Sequence, residues 1–214
     1  MIFRDRRDAG QQLATRLQFL GGQSNVIVLG IPRGGVVVSA EVARALNTPL
    51  DVFIARKLGA PFNPELAIGA VTSTGDVLLD DELVRDLRIS DAVIEHEVEH
   101  QRKEIERRLG MYRQGRALLD VKNKTVVLID DGIATGSTVL ASLRSLRKQE
   151  PTRLILAVPV APAETLKRLK RECDQAIVLA MPEPFFAVGR FYLMFDQTSD
   201  GEVVALLADS DLSR

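Results

Sequence analysis

Val126-Val127-Leu128-Ile129-Asp130-Asp131-Gly132-Ile133-Ala134-Thr135-Gly136-Ser137-Thr138 is the stretch on which the reading of this chain turns. An apolar run of strand length ends in two adjacent carboxylates. A loop of small and hydroxylic residues follows, and a helix opens near Ser137. Continuous apolar runs of this kind are expected of strands buried on both faces of a parallel sheet. In such sheets ligands bind beyond the carboxyl ends of the strands. The start of the helix offers unpaired amides and the positive end of its dipole, which suit a phosphate. Gly136 lets the backbone approach closely, and the hydroxyls of Thr135, Ser137 and Thr138 add donors. Asp130 and Asp131 repel a phosphate but accept hydrogen bonds from a neutral diol. The segment is therefore graded, acid first and donors next, as a sugar phosphate requires. A strand–turn–helix with a polar stop and a hydroxyl cap would explain an isolated Thr-Gly-Ser. The thirteen-residue pattern is more specific than that.

Working outward, the same alternation repeats. Leucines 13, 17 and 20 share a face of a helix expected over about Arg6–Phe19, stopped by Gly21-Gly22. A strand at Val26–Leu29, a turn at Gly30–Gly35 and a helix at Val36–Leu46 follow. Val52–Ala55 reads as the next strand, and Ala67–Val71 with Val77–Leu79 as a hairpin around Thr72–Asp76. A long charged helix is expected from Ser90-Asp91 to about Arg113. After the strand Thr125–Ile129 come a helix at Ser137–Lys148, a strand at Leu154–Val158, a helix at Ala163–Arg171 and a strand at Ala176–Leu179. The predicted fold class is α/β, a doubly wound and mainly parallel sheet flanked by helices. One domain is expected over residues 1–214. Its core covers about 22–180, a helical and hairpin insert about 58–118, and a C-terminal cap about 181–214, which ends in a short helix.

Composition limits the function classes. The chain has 214 residues, 46% of them apolar, and a formal net charge of −1. That length is enough for one sizeable core. The balanced charge supplies no overall field to attract nucleic acid, so a nucleic-acid partner is not expected. Cys173 is the only cysteine, which excludes an intramolecular disulfide and suits a reducing compartment. The charged stretch Met1–Arg7 lacks the apolar core of a signal peptide, and no apolar run approaches spanning length. A cytoplasmic, unanchored protein is the expectation.

On the residues of the 126–138 segment, the chain resembles the type I phosphoribosyltransferases. The resemblance implies their fold, a parallel sheet with flanking helices and a hood that holds the acceptor base. It also implies their substrate, 5-phosphoribosyl 1-pyrophosphate, and release of pyrophosphate when a nitrogenous base attacks the sugar. By that resemblance Asp130 and Asp131 hold the ribose hydroxyls, and Ala134, Thr135, Gly136, Ser137 and Thr138 wrap the 5-phosphate. Mg2+ is implied as cofactor, held mainly by the diphosphate, the ribose hydroxyls and water rather than by protein ligands. A homodimer is an expectation of the family alone.

Gly30-Ile31-Pro32-Arg33-Gly34-Gly35 also follows a buried strand and opens a helix, and its glycines and arginine make an anion nest. A plain Pro-x-Gly-Gly turn would fit these residues equally well on their own. In the family a loop here grips pyrophosphate, often through a strained peptide bond, and this assigns Arg33, Gly34 and Gly35 to pyrophosphate. Arg56 and Lys57 are expected at the end of the next strand, where two cations pair with the same group; a solvated pair at a strand end is the plainer alternative. Lys57 joins Asp130 and Asp131 as a catalytic candidate. Leu58–Glu65 is rich in breakers and reads as a mobile loop that covers the site, with Glu65 as an acceptor contact, or as an ordinary surface loop. Phe186 and Tyr192, from the aromatic run Phe185–Tyr192, are candidates to stack on a base, although most rings of that run are expected to form the cap's own core.

Two further readings stand beside these. His96-Glu97-Val98-Glu99-His100 satisfies the letter of a zinc-protease motif and places both histidines on one helical face. Both histidines of the chain are used there, the surrounding helix is strongly charged, and the phosphate-type loops would be left unexplained. A solvated helix face laced with ion pairs accounts for the segment better. The rival function is a regulatory protein that senses the sugar diphosphate through the same loop while binding RNA or a protein. Family members acting on 6-oxopurines usually carry an aspartate where Ala134 stands. Ala134 has no proton to exchange, which argues against that substrate class and leaves the base unnamed.

Overall fold

The structure is a computed structural model that describes residues 2–116 and 118–212. Met1, Ala117, Ser213 and Arg214, which fall within the expected domain, insert and cap, lie outside the described residues. In chain order the elements are α1 (Arg6–Leu17), β1 (Val26–Gly30), α2 (Gly34–Leu46), β2 (Leu50–Val52), β3 (Ala55–Ala60), β4 (Asn63–Thr72) and β5 (Val77–Leu79). Then follow α3 (Asp81–Asp86), α4 (Asp91–Arg113), β6 (Thr125–Ile129), α5 (Ser137–Lys148), β7 (Arg153–Val160), α6 (Ala163–Leu169), β8 (Gln175–Ala180) and α7 (Asp200–Leu212).

The apolar runs form one five-stranded parallel sheet in the order β2-β1-β6-β7-β8. Every residue of β1 and β6 is buried. Because successive side chains point to opposite faces, Ile27, Leu29, Val126 and Leu128 pack with Val139, Leu143 and Leu146 of α5. Val28, Val127 and Ile129 join Leu13 and Leu17 of α1, Val38 of α2 and Leu206 of α7 on the other side. Helix α1 begins where Asp5 caps it, its carboxylate accepting from the amide of Asp8 at 2.8 Å. It tightens into a 3-10 turn at Gln18–Leu20 before the glycines. The core is thus doubly wound, with β6 in the middle of its sheet.

The insert is a second, antiparallel sheet, β3-β4-β5, backed by α4 through Ile94, Val98 and Ile105. Its β4–β5 turn is fastened to α5. Ser145 donates to Asp76 at 2.7 Å and Lys148 pairs with Asp76 at 2.6 Å. Burial pushes the Asp76 carboxyl up, but these partners together hold it below its ordinary value. Among the described residues no helix is long and apolar enough to cross a membrane.

Three expectations are corrected. The core strand expected at Val52–Ala55 ends at Val52, and Arg56 and Lys57 lie on β3 of the second sheet rather than at a core strand's tip. The expected mobile loop at Leu58–Glu65 is the closing end of the β3–β4 hairpin, turning at Pro61-Phe62. Its pairing shifts register on both sides of Gly59. A Cβ there would lie 2.7 Å from the carbonyl of Pro64, so the missing side chain is what lets the strands meet. The cap, expected from the tail alone, is built from both ends of the chain. The amide of Phe3 donates to the Phe191 carbonyl at 2.8 Å, and that of Leu193 to the Phe3 carbonyl at 2.9 Å.

Candidate functional site

Asp130 and Asp131 stand at the carboxyl end of the central strand, where the α2 and α5 loops converge. Gly34 and Gly35 make the convergence possible. A Cβ on Gly35 would lie 2.9 Å from the Asp130 Cα, and one on Gly34 would collide with the Asp131 carboxylate. The Pro32–Arg33 peptide is cis. The structure therefore brings the Arg33–Gly35 turn and the acidic pair together.

Beyond the pair, Ile133 is buried and its amide bonds the Val160 carbonyl at 2.9 Å. Ala134 and Thr135 are exposed. Gly136 adopts φ +75°, and a Cβ there would lie 2.8 Å from Thr165. No side chain caps α5. The first amides of that helix therefore point out of the loop without a side-chain acceptor, which is the arrangement that binds an anion. Helix α6 holds the loop in shape: Thr165 donates to the Ala134 carbonyl at 2.9 Å and Arg168 to the Thr135 carbonyl at 2.5 Å.

The two carboxyls are electrostatically unequal. Burial, then the neighbouring Asp131 charge, pushes Asp130 well above the ordinary carboxylate range. Burial pushes Asp131 the same way, while the ion pair with Arg6 at 2.7 Å draws it back. The upward push is thus the stronger on Asp130, as expected where two adjacent acids disfavour each other's charge.

Arg56 and Lys57 line a cavity of about 330 Å³ with Pro32, Gln101 and Arg108. Arg56 donates to the side-chain oxygen of Gln101 rather than to a carboxylate. Burial, then the Arg108 charge, pushes its guanidinium down from its usual value. Lys57 pairs with Glu65 at 3.2 Å at the exposed hairpin end.

The aromatic candidates separate. Phe186 is 80% exposed. Tyr192 is buried between Phe3 and Phe195, with ring centroids 5.4 and 5.0 Å away, and its hydroxyl donates to the Asp131 carbonyl at 2.5 Å. That packing leaves no face of Tyr192 for a base, so its role is corrected to holding the loop. His96 and His100 both lie exposed on α4. Sequence reasoning missed Arg6, Thr165 and Arg168. The last two share a helical face three residues apart, a weak local signal. Arg6 reaches the site only through the tertiary fold.

The profile of the phosphoribosyl transferase domain matches residues 5–185. The chain belongs to the phosphoribosyl transferase family. Two Mycobacterium tuberculosis proteins provisionally named phosphoribosyl transferases, MT0597 and Rv0571c, are each 45% identical over 96% of the chain. The chain spans about half of their length, 46%. The crystal structure of TT1426 from Thermus thermophilus superposes with a TM-score of 0.83 at 43% identity, covering 98% of this chain and 99% of that one. Membership in the phosphoribosyl transferase family accords with the parallel sheet and with the position of the acidic pair at its central strand.

Proposed function

We propose that the chain transfers the 5-phosphoribosyl group from 5-phosphoribosyl 1-pyrophosphate to a nitrogenous base and releases pyrophosphate. The observation that supports this reading most is the pairing of the adjacent Asp130 and Asp131 carboxyls with the uncapped start of α5, reached through a short loop of small and hydroxylic side chains. The couple offers acceptors to a vicinal diol. The amides of α5, with the hydroxyls of Thr135, Ser137 and Thr138, receive the 5-phosphate. Arg33, Gly34 and Gly35 receive the diphosphate, and Arg56 and Lys57 flank it from β3.

Displacement at the anomeric carbon passes through an oxocarbenium-like transition state. The negative charge of the acidic couple lies on the sugar side of the site and stabilises the cation that develops there. No covalent nucleophile is required. Mg2+ would be held mainly by the substrate's own oxygens, bordered by this couple. When bound, Mg2+ would neutralise the leaving diphosphate. Ala134 stands exposed in the loop and cannot exchange a proton with a purine ring.

The test is calorimetry with the sugar diphosphate and Mg2+, followed by a panel of purine and pyrimidine bases with pyrophosphate release as the readout. Micromolar binding, lost at least about tenfold in Asp130→Asn, and release with one class of base are expected. Tenfold corresponds to about 1.4 kcal/mol, within the range of one charge-assisted hydrogen bond. Absence of binding overturns the reading. Binding without release for any base, together with salt-dependent RNA affinity, turns it to a sensor.

A further inference from the structure

Helix α4 carries a buried stripe of residues three and four apart: Ile94, Val98, Gln101, Ile105 and Tyr112. Gln101 is the member that breaks the apolar pattern. It is 7% exposed, and a buried amide is costly unless its hydrogen bonds are met. They are met from two sides. Its side-chain oxygen accepts from Arg56 Nε on β3. Its Nε2 donates to Glu97 at 2.8 Å, one turn back on α4, and lies 3.4 Å from His100 Nδ1. Arg108 stands seven residues further along the same stripe, its side chain 21% exposed. A glutamine in this place grips the guanidinium of Arg56 without cancelling its charge, as a glutamate would.

The cavity of about 330 Å³ between β3 and α4 is walled by Arg56, Lys57, Arg108, Gln101, Glu97 and Pro32. Three cations there face one carboxylate, Glu97, which is itself bonded to the Gln101 amide. Pro32 puts the cavity beside the Arg33–Gly35 turn. Lys57 pairs with Glu65, which is 93% exposed, so that contact is weak and readily exchanged. Arg108 pairs with Glu104 at 2.7 Å, and Arg107 pairs with the same carboxylate at 2.7 Å. Glu104 therefore keeps a partner when Arg108 engages a ligand. Guanidinium forks suit phosphate oxygens, and side chains ordered beforehand lose little freedom on binding.

We propose that α4 forms one wall of the diphosphate seat, with Arg108 binding the diphosphate beside Arg56 and Gln101 as the positioning residue that holds Arg56 there without neutralising it. The proposal rests on the sugar-diphosphate reading above and adds to it two residues of the inserted helix, which lies outside the parallel core.

The experiment measures three probes by calorimetry: ribose 5-phosphate, inorganic pyrophosphate with Mg2+, and 5-phosphoribosyl 1-pyrophosphate with Mg2+. Wild type is compared with Arg108→Ala, Arg108→Lys, Gln101→Leu, Gln101→Glu and Lys103→Ala, each checked for its Tm. Arg108→Ala and Gln101→Leu should weaken both diphosphate probes about tenfold and leave ribose 5-phosphate unchanged. Arg108→Lys should recover part of the loss. Gln101→Glu separates positioning from mere support. It can still accept from Arg56, so its Tm should hold, yet its carboxylate should weaken both diphosphate probes. Should Gln101→Leu fail to fold, Gln101→Glu and the Arg108 variants carry the comparison. Wild type that binds none of the three probes overturns the functional reading and this proposal together. Wild type that binds the sugar diphosphate while the Arg108 and Gln101 variants bind it equally overturns this proposal alone. So does Gln101→Glu binding pyrophosphate as tightly as wild type, or a loss shared equally by ribose 5-phosphate. An equal loss in Lys103→Ala, whose charge pairs with Glu99 on the solvated side of α4, would reduce the effect to overall charge and overturn it as well.

Discussion

The hydroxyl of Tyr192 donates a hydrogen bond to the carbonyl oxygen of Asp131 at 2.5 Å, joining the tail to the acidic loop across 61 positions of sequence. Burial and the nearby Asp131 charge push the phenol up from its usual value, so it remains a donor throughout the physiological range. The tail is thereby a brace for the loop.

Tyr192→Phe keeps the ring between Phe3 and Phe195 and removes only this bond. A net loss of about 1 kcal/mol is expected, or a Tm about 2–4 °C lower for a chain of this size. Scanning calorimetry checks it. Because the bond holds the Asp131 backbone, affinity for the sugar diphosphate should fall severalfold in the same variant. An unmoved Tm would show that the brace contributes nothing.

Gly34→Ala places a methyl group within the Asp131–Arg6 pair. Either the pair separates or the start of α2 shifts, and a separated buried pair costs about 3–5 kcal/mol. The expected outcome is a large drop in thermal stability together with loss of sugar-diphosphate binding. An alanine at Gly110, where a Cβ meets nothing within 4 Å, should stabilise or leave stability unchanged and serves as the control.

At Gly136 two penalties coincide. The residue has φ +75°, and its added Cβ would press on Thr165 at 2.8 Å. Gly136→Ala should cost about 1–2 kcal/mol or more. It should weaken binding of ribose 5-phosphate and of the full substrate by similar factors, since both carry the phosphate that this loop would wrap. Loss confined to the diphosphate would place the 5-phosphate elsewhere.

Alkaline stability offers a separate test of how α4 holds α7. Tyr112 is fully buried, and burial, then its hydrogen bond to Asp200, raises its phenol to about 12 from a usual value of 10. A folded-state value above the unfolded one stabilises the protein fully below pH 10, and that stability is lost as pH rises through about 12. The amount is on the order of 2 kcal/mol. Tyr112→Phe should therefore lower stability at pH 8 and flatten the stability curve between pH 10 and 12, measured by urea unfolding. A variant with the wild-type alkaline limb would remove Tyr112 as its cause.

The parts of the fold legible in the sequence are those that repeat locally. Val126–Ile129 reads as a buried strand because each of its residues is apolar, and β6 is buried along its whole length. The β3–β4 hairpin was not legible, since Gly59, Pro61 and Pro64 carry loop signals that the close approach of Gly59 to Pro64 overrides. Helix α3 had a faint signal in Asp80, whose carboxylate accepts from the Leu83 amide at 3.0 Å. The partners of Arg6 were hidden for a different reason. An ion pair across 125 positions leaves no periodicity, and an arginine in a charged first turn looks like any solvated one.

Helix α1 meets the Asp196 carbonyl through Arg6 across 190 positions, and this bears on the order of synthesis. A nascent chain emerging from the ribosome can pair β1 with β6 and close the acidic loop well before the tail has been made. The guanidinium has its full set of anchors only once residues 191–196 have emerged. A stalled or prematurely terminated product would thus possess the sheet but an acidic loop without its last anchors, which arrive with that late strip of polypeptide rather than with the core.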